Sequence, residues 1–189
     1  MTNDRSRPGL QADERDMLNG WLEHHRAILL WKCEGLTDEQ LRQRSVPPSS
    51  MSLLGLVRHM TDVERGWFQQ VLLGEDAPDL YTKPGERDGD FNGVDKADVA
   101  AAFSAFEAEC EASRQAVAAA PDLDVLSKEA AQTGEAFSLR WILTHMIEEY
   151  ARHNGHADLL RQRIDGATGS WQTGQMALLI GRDCLSVPG

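Results

Sequence analysis

The segment from residue 138 to residue 164 most constrains the fold, because one face of its predicted helix carries polar side chains where aliphatic ones are expected. Its sequence is SLRWILTHMIEEYARHNGHADLLRQRI. At about 3.6 residues per turn, the inward stripe consists of Ile142, His145, Met146, Glu149, His153, His156, Ala157, Leu160 and Ile164. A buried carboxylate needs compensation, and a divalent metal ion with imidazole ligands would supply it. The stripe therefore predicts a metal site inside a helix bundle.

This stripe offers more candidate ligands than one ion needs. Glu149 and His153 are four residues apart, which places them on one helix face about 6 Å apart at Cβ. The spacing does not decide which of His145, His153 and His156 joins Glu149. His156 or Asp158 could instead hydrogen-bond a ligand and orient it. The alternative to a metal site is a buried polar network or a cleft lined by histidines.

Helical periodicity elsewhere predicts four long helices joined by polar links, and hence an all-α four-helix bundle. The helices are predicted over residues 12–34, 52–74, 95–120 and 138–164, with Ser52, Asp95 and Ser138 as the caps of the last three. A capping box at Thr37 and Gln40 predicts an additional short helix. Residues 122–137 are predicted to be irregular, and no stretch alternates with the period of two that favours a strand.

His59 is the candidate third ligand, because it lies between Leu56 and Val63 on the apolar face of the second predicted helix. A single histidine in this position is more commonly a hydrogen-bonded structural residue. If the last helix faces it, two imidazoles and a carboxylate leave coordination positions open, which is typical of a catalytic site. The long segment 75–94, rich in glycine, proline and acidic residues, is predicted to be a surface loop bordering the pocket.

The length, net charge and cysteine pattern of the chain indicate its class and argue against some partners. Its 189 residues fit a single domain, predicted over residues 1–168, with 169–189 as a C-terminal extension whose structure the sequence does not define. The net charge of -11 argues against nucleic acid and anionic membranes as partners. The N-terminal segment lacks the apolar stretch of a secretory signal, so a cytoplasmic protein is expected. The cysteines Cys33, Cys110 and Cys184 form no C-x-x-C pair, which predicts reduced thiols, with the first two in the core.

The motifs of several competing chemistries are missing from the sequence. A di-iron carboxylate bundle needs Glu-x-x-His on two helices, and the chain contains no such motif. H-E-x-x-H, the zinc-deaminase signature, the P-loop, G-x-G-x-x-G and the nucleophile elbow G-x-S-x-G are also missing. A mononuclear, open site with nitrogen and oxygen ligands remains.

Two segments resemble the DinB-like superfamily of four-helix metalloproteins, which includes bacillithiol transferases and mycothiol-dependent maleylpyruvate isomerase. They are LLGLVRHMTDVERGWF and LRWILTHMIEEYARHNGHADLLRQRIDG, and the resemblance covers about residues 12–168. Many members use three histidines, and the isomerase branch has a glutamate in place of one of them. The resemblance therefore implies His59, Glu149 and His153 as metal ligands. His145, His156 and Asp158 would then line the pocket or orient the ligands.

The resemblance also implies a function. A divalent metal, zinc or alternatively nickel, would bind the thiolate of a low-molecular-weight thiol of the mycothiol or bacillithiol type and help it attack or isomerise a small electrophilic substrate. The chain is too short for the additional C-terminal domain of the isomerase. Two other functions stay open: a metal-dependent hydrolase in which His145 or His156 shuttles a proton, and a non-enzymatic metal-binding stress-response bundle. Bundles of this type often pair, so a homodimer is expected by analogy.

Overall fold

The computed structural model of this protein describes residues 6–83, 85–86 and 88–168. In these ranges the helices α1 to α6 are Glu14–Cys33, Asp38–Arg42, Leu53–Glu64, Gly89–Asn92, Val99–Ala119 and Leu139–Asp165, and the strands β1 and β2 are Leu126–Ala130 and Ala136–Ser138. A π-helical segment, Arg65–Leu72, continues α3. The α1 helix packs against α6, and α3 packs against α5, so the predicted all-α four-helix bundle is confirmed. Residues 169–189, which include Cys184, lie outside the described ranges.

Three helix starts follow from local sequence and are confirmed. The hydroxyl oxygens of Thr37, Ser52 and Ser138 each accept a backbone N–H from three residues further on, at the starts of α2, α3 and α6. At Thr37 the side chain of Gln40 also accepts the N–H of the cap residue at 2.9 Å, which completes the capping box. These caps fix where α3 and α6 begin, and therefore how far along each helix the polar residues of the interior lie.

The predicted cap at Asp95 is wrong. The carboxylate of Asp95 instead lies 2.8 Å from a guanidinium nitrogen of Arg44, while Asp98 caps α5 by accepting the N–H of Ala101 at 3.0 Å. Aspartate favours both a helix cap and a surface ion pair. The sequence alone could not separate the two roles because the two aspartates are only three residues apart.

Three further elements were not predicted, and one of them is the short helix α4, which lies in the segment 75–94 predicted to be a surface loop. Strands β1 and β2 pair antiparallel within the segment predicted to be irregular, with Leu126 opposite Ser138 and a bulge in the register. Helix α3 continues in π geometry from Arg65, and the N–H of Leu73 bonds the carbonyl of Phe68 at 3.2 Å. Hydrophobic periodicity does not distinguish these two helix types over two turns.

A buried ion pair crosses the interior between α1 and α3. The guanidinium of Arg26 donates to both carboxylate oxygens of Glu64, at 2.7 Å and 2.6 Å, and the Glu64 side chain is 0% exposed. The hydroxyl of Tyr150 also donates to Glu64 at 2.6 Å. Cys33 and Cys110 are buried, as predicted, and the thiol of Cys110 lies 3.8 Å from the same carboxylate. No helix in the described ranges is long and apolar enough to cross a membrane.

His25 makes the stability of the bundle depend on pH. The amide of Asn154 on α6 lies against His25, 3.1 Å from its carbonyl and 3.4 Å from its Nδ1. Burial and the neighbouring His24 lower the pKa of His25 from 6.5 to about 4. As the pH falls, the unfolded chain binds a proton at this position before the folded one does. His25 therefore lowers the free energy of unfolding as the pH falls from about 6.5 to about 4.

Substituting His25→Gln is expected to remove this contribution. The free energy of unfolding of metal-free protein is measured with urea at about pH 7 and about pH 5. The decrease between the two pH values should be smaller in the variant than in wild type by on the order of 1 kcal/mol, a figure reduced for solvent screening of the partly exposed ring. The matched control is His24→Gln, one residue away, which should keep most of the wild-type pH dependence. Equal losses in wild type and His25→Gln would show that His25 is not buried as a neutral ring.

Candidate metal centre

Three side chains from distant parts of the chain meet between α3 and α6. His59, Glu149 and His153 each offer one ligand atom, and these atoms all lie within 4.8 Å of one another. Nε2 of His153 is 3.4 Å from Oε2 of Glu149, and the ring centroids of His59 and His153 are 4.6 Å apart. Ligand atoms around a tetrahedral zinc ion with bonds of about 2 Å are about 3.3 Å apart. The spacing of Glu149 and His153 therefore suits a first-row divalent cation.

The protonation and charge of these groups also fit a cation. Burial, together with the neighbouring imidazoles of His59 and His156, lowers the pKa of His153 to about 4, so its ring is neutral at neutral pH. Glu149 is half-buried, and its ion-pair partners among the described residues are the imidazoles of His145 and His153. The neutral ring of His153 and the Glu149 carboxylate, which has no ion pair with a lysine or arginine among the described residues, are donors that suit a cation.

Asp90 contacts Nδ1 of His59, and the sequence did not predict this residue as part of the site. Its Oδ2 lies 2.7 Å from Nδ1 of His59, and the Phe91 ring stacks on the imidazole at 5.5 Å between centroids. Both residues belong to the short helix α4. This helix packs closely on α3 at Gly55, where an added Cβ would lie 2.6 Å from the Phe91 ring. The loop composition carried no signal for these contacts, because they depend on how a distant loop docks.

His145 connects the cluster to a group of aromatic rings. Its Nε2 is 3.8 Å from Oε1 of Glu149. The imidazole stacks on Trp141 at 5.0 Å and contacts Trp67 at 4.6 Å, and Phe137 of β2 completes the group. The unpredicted hairpin and π-helical segment supply two of these rings. His145 thus lies beside the cluster, in contact with Glu149 and with the aromatic rings.

His156 and Asp158 were also predicted to line the pocket or orient the ligands, and only His156 contacts the cluster. Nδ1 of His156 is 3.4 Å from Nδ1 of His153, which leaves Nε2 of His153 facing Glu149. His156 is therefore positioned to orient the His153 ring. Asp158 is directed towards α1, where its carboxylate lies 2.5 Å from the ammonium group of Lys32. No hydrogen bond or ion pair among the described residues joins Asp158 to the cluster.

A cleft of about 490 Å³ opens beside His59. Its described lining includes the aromatic ring of Trp67 and four aspartates, namely Asp62, Asp79, Asp88 and Asp90, but no lysine or arginine. The carboxylate of Asp62 accepts the backbone N–H groups of Leu80, Tyr81 and Thr82 at 2.8–3.1 Å. These bonds fasten the 75–94 loop to α3, so the loop borders the cleft.

The bundle and its cluster define a DinB-like four-helix protein with a candidate metal centre between α3 and α6. The sequence model of the mycothiol-S-transferase family matches residues 17–166. This match spans most of the chain and includes His59, Glu149 and His153, so the chain belongs to that family and the DinB-like resemblance is confirmed. No curated protein and no solved structure matches the chain significantly.

Proposed function

We propose that this protein is a divalent-metal-dependent S-transferase that joins a low-molecular-weight thiol, mycothiol, to a small electrophilic substrate. The observation that carries this proposal is the convergence of His59, Glu149 and His153, of which His59 lines a cleft, in a member of the mycothiol-S-transferase family. These three residues would hold the ion, with zinc expected and nickel as the alternative. When bound, the cation supplies the positive charge that keeps a coordinating thiol as its reactive thiolate.

The described cysteines support a thiol supplied by a cosubstrate. Cys33 and Cys110 are both buried. Burial raises the pKa of Cys33 to about 12, and burial together with the Glu64 carboxylate raises the pKa of Cys110 further. A buried thiol that keeps its proton at neutral pH is a poor nucleophile. Neither side chain is suited to attack an electrophile in the cleft.

The acidic lining of the cleft favours mycothiol over bacillithiol. Mycothiol is built on a sugar and an inositol, so it carries many hydroxyl groups and no carboxylate, whereas bacillithiol carries a malate with two. Aspartates accept hydrogen bonds from hydroxyl groups and repel carboxylates. Asp62 and Asp90 already bind groups of the protein, so Asp79 and Asp88 are the aspartates of the described lining that suit the hydroxyl groups of the neutral thiol, while all four carboxylates disfavour a negatively charged one.

The proposal is tested with protein that has been stripped of metal and then reloaded with zinc or nickel. Mixed with mycothiol and monochlorobimane, the loaded protein should form the fluorescent thioether, in which the thiol sulfur bonds to carbon and chloride leaves. A chelator should abolish the reaction, and bacillithiol should react more slowly than mycothiol.

The same protein separates the alternative functions. Metal-dependent turnover of esters or amides without added thiol would identify a hydrolase and contradict thiol transfer. Tight metal retention without activity in either assay would identify a non-enzymatic metal-binding bundle. A faster reaction with bacillithiol would overturn the charge argument but leave thiol transfer intact.

A further inference from the structure

Both oxygens of the Asp90 carboxylate have hydrogen-bond partners, and one of these partners is His59. Asp90 is 5% exposed, and its Oδ1 accepts the backbone N–H of Phe91 at 2.9 Å. This bond fixes the carboxylate on its own backbone and leaves Oδ2 to meet Nδ1 of His59 at 2.7 Å. A carboxylate oxygen only accepts hydrogen bonds, so the imidazole must donate through Nδ1–H. In a neutral ring the lone pair is then on Nε2.

We propose that Asp90 is a positioning residue that fixes the tautomer and orientation of His59, so that the Nε2 lone pair of His59 is presented to a divalent cation shared with Glu149 and His153. This inference rests on the proposed metal site. Ligating histidines commonly donate their second N–H to a carboxylate, which sets the tautomer and raises the basicity of the ligating nitrogen. His59 is the ligand from α3, whereas Glu149 and His153 come together on α6. The orientation of its ring therefore decides whether the two helices can share an ion.

The 75–94 loop acquires a second role from this arrangement. Asp62, less than one turn from His59 on α3, holds residues 80–82 through three backbone N–H groups. Phe91 fills the space that the missing side chain of Gly55 leaves on α3. The loop is thus docked on α3 at two points on either side of His59. It carries Asp90 to the buried side of the imidazole as well as bordering the cleft.

The test compares Asp90→Asn with a matched control, Asp88→Asn. The control removes the same charge from the same cleft two residues away, and asparagine tolerates the left-handed backbone of Asp88, with φ of 61°. Metal-free proteins are titrated with zinc against a chromophoric chelator. Asp90→Asn should bind zinc about 10- to 100-fold more weakly than wild type, and Asp88→Asn should bind it as wild type does.

Two further readouts separate positioning from a general structural effect. The visible spectrum of the cobalt-loaded protein should change in Asp90→Asn and not in Asp88→Asn, because it reports the ligand geometry. Nitrogen-15 NMR of the metal-free wild type should show that the neutral His59 ring carries its proton on Nδ1. A neutral ring with its proton on Nε2 would overturn the inference without any use of metal.

The result also separates this inference from the proposed function. If wild type binds zinc and Asp90→Asn binds it equally well, Asp90 does not position His59, and the metal site stands. If wild type binds no zinc, the metal site fails, and the inference fails with it even where the NMR shows the expected tautomer. A metal-free melting midpoint of Asp90→Asn close to wild type is expected, since the substitution is isosteric.

Discussion

Substituting Glu149→Gln is expected to abolish both metal retention and thiol transfer. Glutamine keeps the size of the side chain but removes the only negative charge from the three candidate ligands His59, Glu149 and His153. The loss of affinity should exceed the about 100-fold that removal of an outer hydrogen-bond partner can cost. Elemental analysis after gel filtration should find metal in wild type and none in the variant, and thioether formation should stop with it. The metal-free variant should melt no lower than metal-free wild type, because a half-buried carboxylate is costly to desolvate.

Glu148→Gln is the matched control for this experiment. It makes the same charge change one residue away, on a side chain that is 58% exposed. His145, Glu148 and Glu149 form a second group whose ligand atoms lie within 4.8 Å of one another. If the ion is held with His59 and His153, Glu148→Gln keeps both metal and activity. Loss of metal in Glu148→Gln would instead place the ion in the second group and contradict the proposed site.

The sequence was sufficient for the features that depend on short-range geometry. A capping hydroxyl acts three residues away, and helix periodicity fixes the relative direction of side chains four residues apart. The starts of α3 and α6 and the inward stripe of α6 were therefore predictable, including the juxtaposition of Glu149 and His153. The pairing of His59 with that stripe was a hypothesis about facing helices, and the structure brings the three side chains together.

Features that depend on docking between distant segments were not predictable. Asp90 reaches His59 only because the 75–94 loop is fastened to α3, and the loop composition indicated no more than a surface position. The hairpin and the π-helical segment, which supply Phe137 and Trp67 to the aromatic group, are short elements with weak sequence signals. Glu64 follows Val63 in an amphipathic helix, where a glutamate is ordinarily exposed. Its burial depends on Arg26, from a helix 38 residues earlier.

Arg26→Ala is therefore expected to cause the largest loss of stability, about 3–5 kcal/mol. The substitution removes the guanidinium that donates two hydrogen bonds to Glu64, whose side chain is 0% exposed. The hydroxyl of Tyr150 would remain as a donor, but a hydroxyl does not neutralise a buried charge. Urea unfolding at neutral pH measures the loss. Arg114→Ala is the control, because its partner Glu23, which also pairs with Arg26, is 42% exposed, and exposed ion pairs contribute about 1 kcal/mol or less.

A double variant distinguishes the loss of the ion pair from the loss of packing. In Arg26→Met with Glu64→Gln, both charges of this pair are removed, methionine fills much of the arginine volume, and the glutamine oxygen can still accept from Tyr150. Because replacing a buried ion pair by neutral groups of similar size is often nearly neutral, the double variant should recover most of the stability lost in Arg26→Ala. If Arg26→Ala costs no more than Arg114→Ala, water reaches Glu64 and the pair is not desolvated. If the double variant stays as unstable as Arg26→Ala, the arginine contributes through packing of its stem rather than through its charge.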